Sequence, residues 1–147
     1  MKASDFFTND DQKKIEQAVK QAEHKTSGEI RVHIDSRCKG EVLDAAARVF
    51  ATLGMHKTKL RNGVLIYLAL DDKKFAIIGD TGINQKVPAN FWENIKNDML
   101  VHFRKSDFTI GLIHGVTMTG TALKQHFPHE KDDVNELPDE ISFGTGK

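Results

Sequence analysis

The sequence predicts an α/β protein, a three-layer α/β/α sandwich in which a small mixed β-sheet is flanked by helices. Three observations predict it. Residues 29–35 (EIRVHID) alternate apolar Ile30, Val32 and Ile34 with Glu29, Arg31 and His33, the two-residue period of a strand. Residues 62–70 (NGVLIYLAL) are almost continuously apolar, as a central strand covered on both faces requires. Four amphipathic stretches at helical spacing supply the outer layers.

Each element has its own warrant. Thr8 precedes Asn9, Asp10 and Asp11 as a candidate cap, and Ile15, Ala18, Val19 and Ala22 then recur at helical spacing, giving a helix over 9–25. Thr26, Ser27 and Gly28 break it before the first strand. Leu43, Ala46, Ala47, Phe50 and Leu53 share one face of a second helix over 41–53, which Gly54 ends. A polar, basic loop at 55–61 leads to the second strand. The run Asp71-Asp72-Lys73-Lys74 turns the chain, and 75–79 (FAIIG) returns as the antiparallel limb of a hairpin. The crossover from the first strand to the second through a helix predicts a parallel, right-handed pair. Residues 80–87 are expected as a loop, Pro88 suits the first position of a third helix, and Phe91, Trp92, Ile95 and Met99 make that helix apolar on one side. Asp107 is positioned to cap a fourth helix over 108–126, in which Gly111 and Gly115 permit close approach to a neighbour. A further short strand is expected, at no defined position.

After Pro128 the composition changes. Residues 129–147 carry Glu130, Asp132, Asp133, Glu136, Asp139 and Glu140 against Lys131 and Lys147. The expected organisation is a domain over 1–128 and an acidic C-terminal tail over 129–147, disordered or draped on the surface; deleting 132–147 is expected to move the melting temperature only slightly.

Composition excludes several functions. The chain has 147 residues, 21 basic and 21 acidic, so it lacks the basic excess of a general nucleic-acid binder or a polybasic membrane module. The longest apolar run, Val64–Leu70, falls far short of a bilayer span of roughly 20 residues. No apolar core of a secretory signal follows Met1, and Cys38 stands alone, so a cytoplasmic location and a monomer are expected. No serine lies in G-x-S-x-G, and no phosphate-binding glycine loop follows a strand. The seven histidines form no H-E-x-x-H, and the contexts of His33, His102 and His114 are not expected to converge, which disfavours zinc.

Motifs between Asn62 and Phe127 carry a family resemblance. Asn62-Gly63-Val64-Leu65-Ile66 precedes the hairpin, Gly79-Asp80-Thr81-Gly82-Ile83 follows it, and Val87-Pro88 precedes the third helix. Phe103-Arg104-Lys105-Ser106-Asp107-Phe108 then leads into Gly111-Leu112-Ile113. Thr26-Ser27-Gly28-Glu29-Ile30 matches the approach to the first strand. In this order and spacing, over about residues 9–127, the chain resembles the TPM domain family, found in a thylakoid-lumen phosphatase-like protein, a photosystem repair factor and many bacterial proteins. Two departures stand out: Asp80 takes a position where the family often has an aromatic residue, and Ser106 replaces a usual glycine. Many relatives are exported and end in a membrane segment; this chain resembles a stand-alone soluble version. The resemblance implies an α/β/α sandwich, calcium binding and an acid-phosphatase activity.

Topology suggests where chemistry sits. Glu29 opens the first strand, Arg61 and Asn62 open the second, and Asp80 closes the third, so all share one sheet edge; Asp35, Asp71 and Asp72 share the other. Asp107 reaches the far edge if the third helix runs straight. It joins the first if 80–87 crosses the sheet end, which the family pattern favours by keeping both loops. The expected site is therefore a divalent ion, calcium or another such as magnesium, held by Asp80, Asp107 and Glu29. Backbone carbonyls and water would complete its oxygen ligands. The expected function is a metal-binding module in which the ion ties two loops together, a metal-responsive regulatory or interaction protein. The alternative is a metal-dependent acid phosphatase acting on phosphomonoesters, with Arg61 binding the phosphate.

Overall fold

A computed structural model describes residues 3–129 and 136–144. In chain order the elements are α1 (Ala3–Phe6), α2 (Asn9–Glu23), β1 (Glu29–Asp35), α3 (Val42–Thr52), a 3-10 turn (Met55–Lys57), β2 (Gly63–Ala69) and β3 (Lys74–Gly79). They continue with α4 (Thr81–Asn84), α5 (Phe91–Arg104), α6 (Phe108–His126) and β4 (Ser142–Phe143). Thr8 caps α2 as its position predicts, accepting from the Asp11 amide at 3.0 Å.

The sheet order is β3-β2-β1-β4. β1 and β2 are parallel, with Glu29 opposite Gly63 and Asp35 opposite Ala69, and β3 returns antiparallel to β2 with Gly79 opposite Val64. Ile30, Val32, Ile34, Val64, Ile66, Leu68 and Ile77 pack into one core with α2, α5 and α6. Leu65, Tyr67, Ala69 and Ala76 face the other way, against Ala45, Ala46 and Phe50 of α3. The result is the expected α/β/α sandwich with a mixed sheet. Among the described residues no helix is long and apolar enough to cross a membrane.

Three expectations need correction. First, the stretch 80–87 is not simply a loop, because Asp80 accepts from the Thr81 amide at 2.7 Å and starts α4. Second, α5 begins at Phe91, three residues after Pro88, whose carbonyl accepts from the Phe91 amide at 3.0 Å. Third, the acidic segment is not a loose tail over 136–144. This stretch runs along the open edge of β1, where β4 pairs parallel with it, Ser142 opposite His33 and Phe143 opposite Ile34. Leu137 and Ile141 are buried, and the Ile141 amide donates to Glu16 of α2 at 3.0 Å. Without this cover β1 would present an unpaired edge. The remainder of the expected tail, 130–135 and 145–147, lies outside the described residues.

Candidate functional site

Strand pleating sends alternate residues of β1 to opposite layers. Its apolar set fills the core under α2, α5 and α6, so Glu29, Arg31, His33 and Asp35 share the other face. Alternation of this kind ordinarily marks a solvated face. Here β2 and the C-terminal segment flank the strand, and Glu29 is 2%, Arg31 9% and His33 7% exposed. Buried ionisable groups are costly unless partnered, which makes this stripe the place to look for chemistry.

At the end of β1 the groups are satisfied. His33 Nε2 lies 2.8 Å from Asp35 Oδ1, and His33 Nδ1 lies 2.9 Å from Ser142 Oγ. The Tyr67 hydroxyl donates to Asp35 Oδ2 at 2.7 Å, and its ring stacks on His33. Burial alone would raise the Asp35 pKa, but the hydrogen bonds from His33 and Tyr67 outweigh it and hold the carboxyl below its usual range. Burial, then Asp35, raises the Tyr67 phenol. The network ties β4 to β1 and β2. Beside it a cavity of about 600 Å³ opens between Arg37, Cys38, Arg48 and Tyr67.

At the start of β1 the groups are not satisfied. Glu29 Oε1 accepts from the Glu136 amide, but Oε2 is buried with no hydrogen-bond partner. Glu23, the last residue of α2, accepts from the Ile30 amide at 2.8 Å through Oε2 and leaves Oε1 buried without a partner. The Glu23 carboxyl meets those of Glu29 and Asp139, contacts that are hydrogen bonds only while one carboxyl of each pair keeps a proton. Burial, opposed only in part by the Glu136 amide and by Glu23, pushes Glu29 up to about 7. Glu23 is pushed higher still, by burial first and Asp139 next. Glu136 in turn accepts from the Lys59 amide at 3.2 Å, so the connection between α3 and β2 is drawn into the same corner.

Positive charge is scarce there. Arg31 donates to the Glu140 carbonyl at 3.2 Å, leaves its Nε unpartnered, and has its own pKa lowered by burial. Among the described residues neither Glu23 nor Glu29 makes an ion pair. The donor set is all oxygen, which suits a hard divalent cation. The orphaned Glu29 Oε2 and Glu23 Oε1 are the atoms such a cation would satisfy, so the chemistry of the donor set fits it, while the carboxyls themselves meet only in pairs.

The expected trio is not assembled. Asp80 does sit at the same sheet end as Glu29, its amide donating to the Gly63 carbonyl at 2.9 Å, with β2 between the two acids. Its oxygens are already engaged, because Arg61 Nε and Nη2 donate to them at 2.7 and 2.9 Å. That pair also occupies Arg61, the residue expected to bind phosphate. Asp107 lies at the other end. α5 starts with Trp92 against Gly79 and finishes with Phe103 packed edge-on against Phe75, near the start of β3, 4.9 Å between ring centres. Its 14 residues span about 21 Å, the height of the sheet. Because α4 turns back at once, 80–87 does not carry the α5–α6 turn across the sheet end. Asp107 occupies the N-cap position of α6 without a side-chain capping bond.

The histidines also depart from expectation. His102 and His114 converge with Asp98. Among the described residues this is the one group of three metal-ligating side chains whose donor atoms all lie within 4.8 Å of one another; Glu23, Glu29 and Asp139 meet only in pairs. The Asp98–His102 spacing of four was a legible signal for two ligands on one helix face. Glu23, Glu136 and Asp139 gave none, since their meeting depends on a contact across more than a hundred residues.

The TPM domain model matches residues 1–122. No curated protein sequence matches the chain. Among solved structures, the chain is similar to the BA42 protein of the psychrophilic bacterium Bizionia argentinensis, solved by NMR. The two are 46% identical with a TM-score of 0.89, over 95% of this chain and 96% of that one. It also shares its fold with the N-terminal domain of a P. gingivalis protein, with a TM-score of 0.69 and 22% identity over 84% of this chain and 82% of that one. The N-terminal domain of the cg2496 protein of Corynebacterium glutamicum gives a TM-score of 0.64 and 14% identity, over 80% and 74% respectively.

Proposed function

The chain belongs to the TPM domain family, and from that premise we propose that it is a divalent-cation-binding module, with calcium the preferred ion. The ligands in this reading are Glu29 and Glu23, with Glu136 and Asp139 supplied by the C-terminal segment. The observation that carries it is Glu29, which is 2% exposed and whose Oε2, once ionised, has no donor beside the Glu23 carboxyl, an oxygen of which is buried as well. A bound cation would supply the positive charge that lets both carboxyls ionise. Glu23 and Glu29 are fixed by α2 and β1, whereas Glu136 and Asp139 arrive from the far end of the chain. Binding would therefore tie the C-terminal segment to the start of β1, and the occupancy of that tie would follow cation concentration. A phosphomonoesterase is the weaker reading, because Arg61 is paired with Asp80 and the Ser142–His33 contact is part of a buried tie.

Calorimetric titration of calcium into chelator-treated full-length protein tests the proposal. Glu29→Gln should lower the affinity at least tenfold, while Asp107→Asn should leave it unchanged. Equal affinity in Glu29→Gln and the parent would overturn this ligand set.

A further inference from the structure

We propose that Asp98, His102 and His114 form a second metal site, separate from the carboxylate corner and selective for a borderline transition-metal ion of the zinc class. Asp98 and His102 stand four residues apart on α5 and so project from one face of the helix. His114 reaches them from α6. The two helices pack closely because α6 presents Gly111 and Gly115 to α5. A Cβ at Gly111 would collide with the Phe103 ring, and one at Gly115 would stand 2.5 Å from Met99 Sδ. With the backbones this near, His114, the neighbour of Gly115, is carried up to the Asp98–His102 face.

The local geometry suits one small ion. His114 Nδ1 lies 3.0 Å from Asp98 Oδ2, the rings of His102 and His114 are 4.4 Å apart between centres, and all three donor atoms lie within 4.8 Å of one another. Zinc–nitrogen and zinc–oxygen bonds of about 2.0–2.1 Å in a tetrahedron put ligand atoms about 3.3 Å apart. One pair, at 3.0 Å, is therefore within a few tenths of an ångström of that separation, and the others, no more than 4.8 Å apart, lie within reach of it. Two imidazoles and a carboxylate make a nitrogen-rich set that favours zinc over calcium or magnesium. Three protein ligands leave a fourth position for water or an external ligand. The Asp98 and His114 side chains are 40% and 47% exposed, so an ion reaches them without opening the fold.

Cobalt(II) is the probe, since its visible absorption reports tetrahedral coordination. Full-length protein, pretreated with chelator, should take up one cobalt ion with a tetrahedral spectrum that added zinc abolishes. His102→Gln, His114→Gln and Asp98→Asn should each weaken uptake tenfold or more. Glu29→Gln, which alters the other site, should leave it intact. These three positions lie on the partly exposed helix surface, and an unchanged amide NMR spectrum away from α5 and α6 would show that each variant folds. The proposal is overturned if the parent gives no tetrahedral cobalt spectrum, or if the His102→Gln and His114→Gln proteins bind as tightly as the parent. Loss of calcium binding in Glu29→Gln with cobalt uptake retained would separate the two sites.

Discussion

At the scale of single residues, Glu29 is the informative group. Its neighbours in sequence, Gly28 and Ile30, say nothing of a carboxyl corner, and the strand period assigns it to a polar face. Burial then reverses its chemistry. In the metal-free protein its pKa rises to about 7 from an unfolded value near 4.5, and Glu23 rises further. A raised carboxyl holds a proton in the folded state that the unfolded chain has already released. The stability it contributes is therefore complete below the unfolded pKa and is lost as pH climbs through the folded one. Asp35 has the opposite sign, since its lowered pKa makes its contribution fall away only in acid. In chelator, the unfolding free energy should thus decline between about pH 5 and pH 8, measured by urea denaturation. Glu29→Gln should flatten that slope and make the metal-free protein more stable at about pH 8. A parent protein that gains stability over the same interval in chelator would contradict the burial argument.

At the scale of elements, strong periodicity was legible and short or distant partnerships were not. The period of β1, the apolar run of β2 and the apolar faces of α2, α3, α5 and α6 are properties of each segment alone, so the sandwich and its strand directions could be read from them. α4 is four residues long, and β4 is two, Ser142 and Phe143; neither is long enough to show a period. Missing α4 made the loop at 80–87 look free to bring Asp80 and Asp107 together. Missing β4 made a covering strand look like a tail. Ser106 shows a subtler kind of legibility. It adopts φ +60°, in the left-handed region, at the position where the family pattern has glycine. The segment over 136–144 now carries a different stability expectation. Ile141 is 8% exposed and packs into the core shared with α2 and β1. Ile141→Ala should cost about 2–3 kcal/mol, toward the lower end for buried Ile truncations. The urea midpoint in calcium-free buffer reads this directly, and a loss of only a few tenths would mean that the segment merely drapes.

At the scale of the whole molecule, the carboxylate corner joins regions that the chain order separates widely. The end of α2 brings Glu23, the start of β1 brings Glu29, and the approach to β2 brings the Lys59 amide. The C-terminal segment brings Glu136 and Asp139. A cation held there cross-links the beginning and end of the fold, and free energy of binding becomes free energy of folding. At calcium one hundred times its dissociation constant the native state would gain about 2.7 kcal/mol, a rise of roughly 5–10 °C in melting temperature. The response should also be local. Calcium should move the amide resonances of residues 23–30, 58–62 and 136–141, because their backbones hold or border the ligands. It should leave the α5–α6 turn at 103–108 and the hairpin at 70–74 unmoved, since both lie at the far end of the sheet. Shifts centred instead on 80–87 and 103–108 would restore the site expected from the sequence and require the two ends of the sheet to communicate. Shifts confined to α5 and α6 would place calcium at the histidine site and remove the carboxylate corner from consideration.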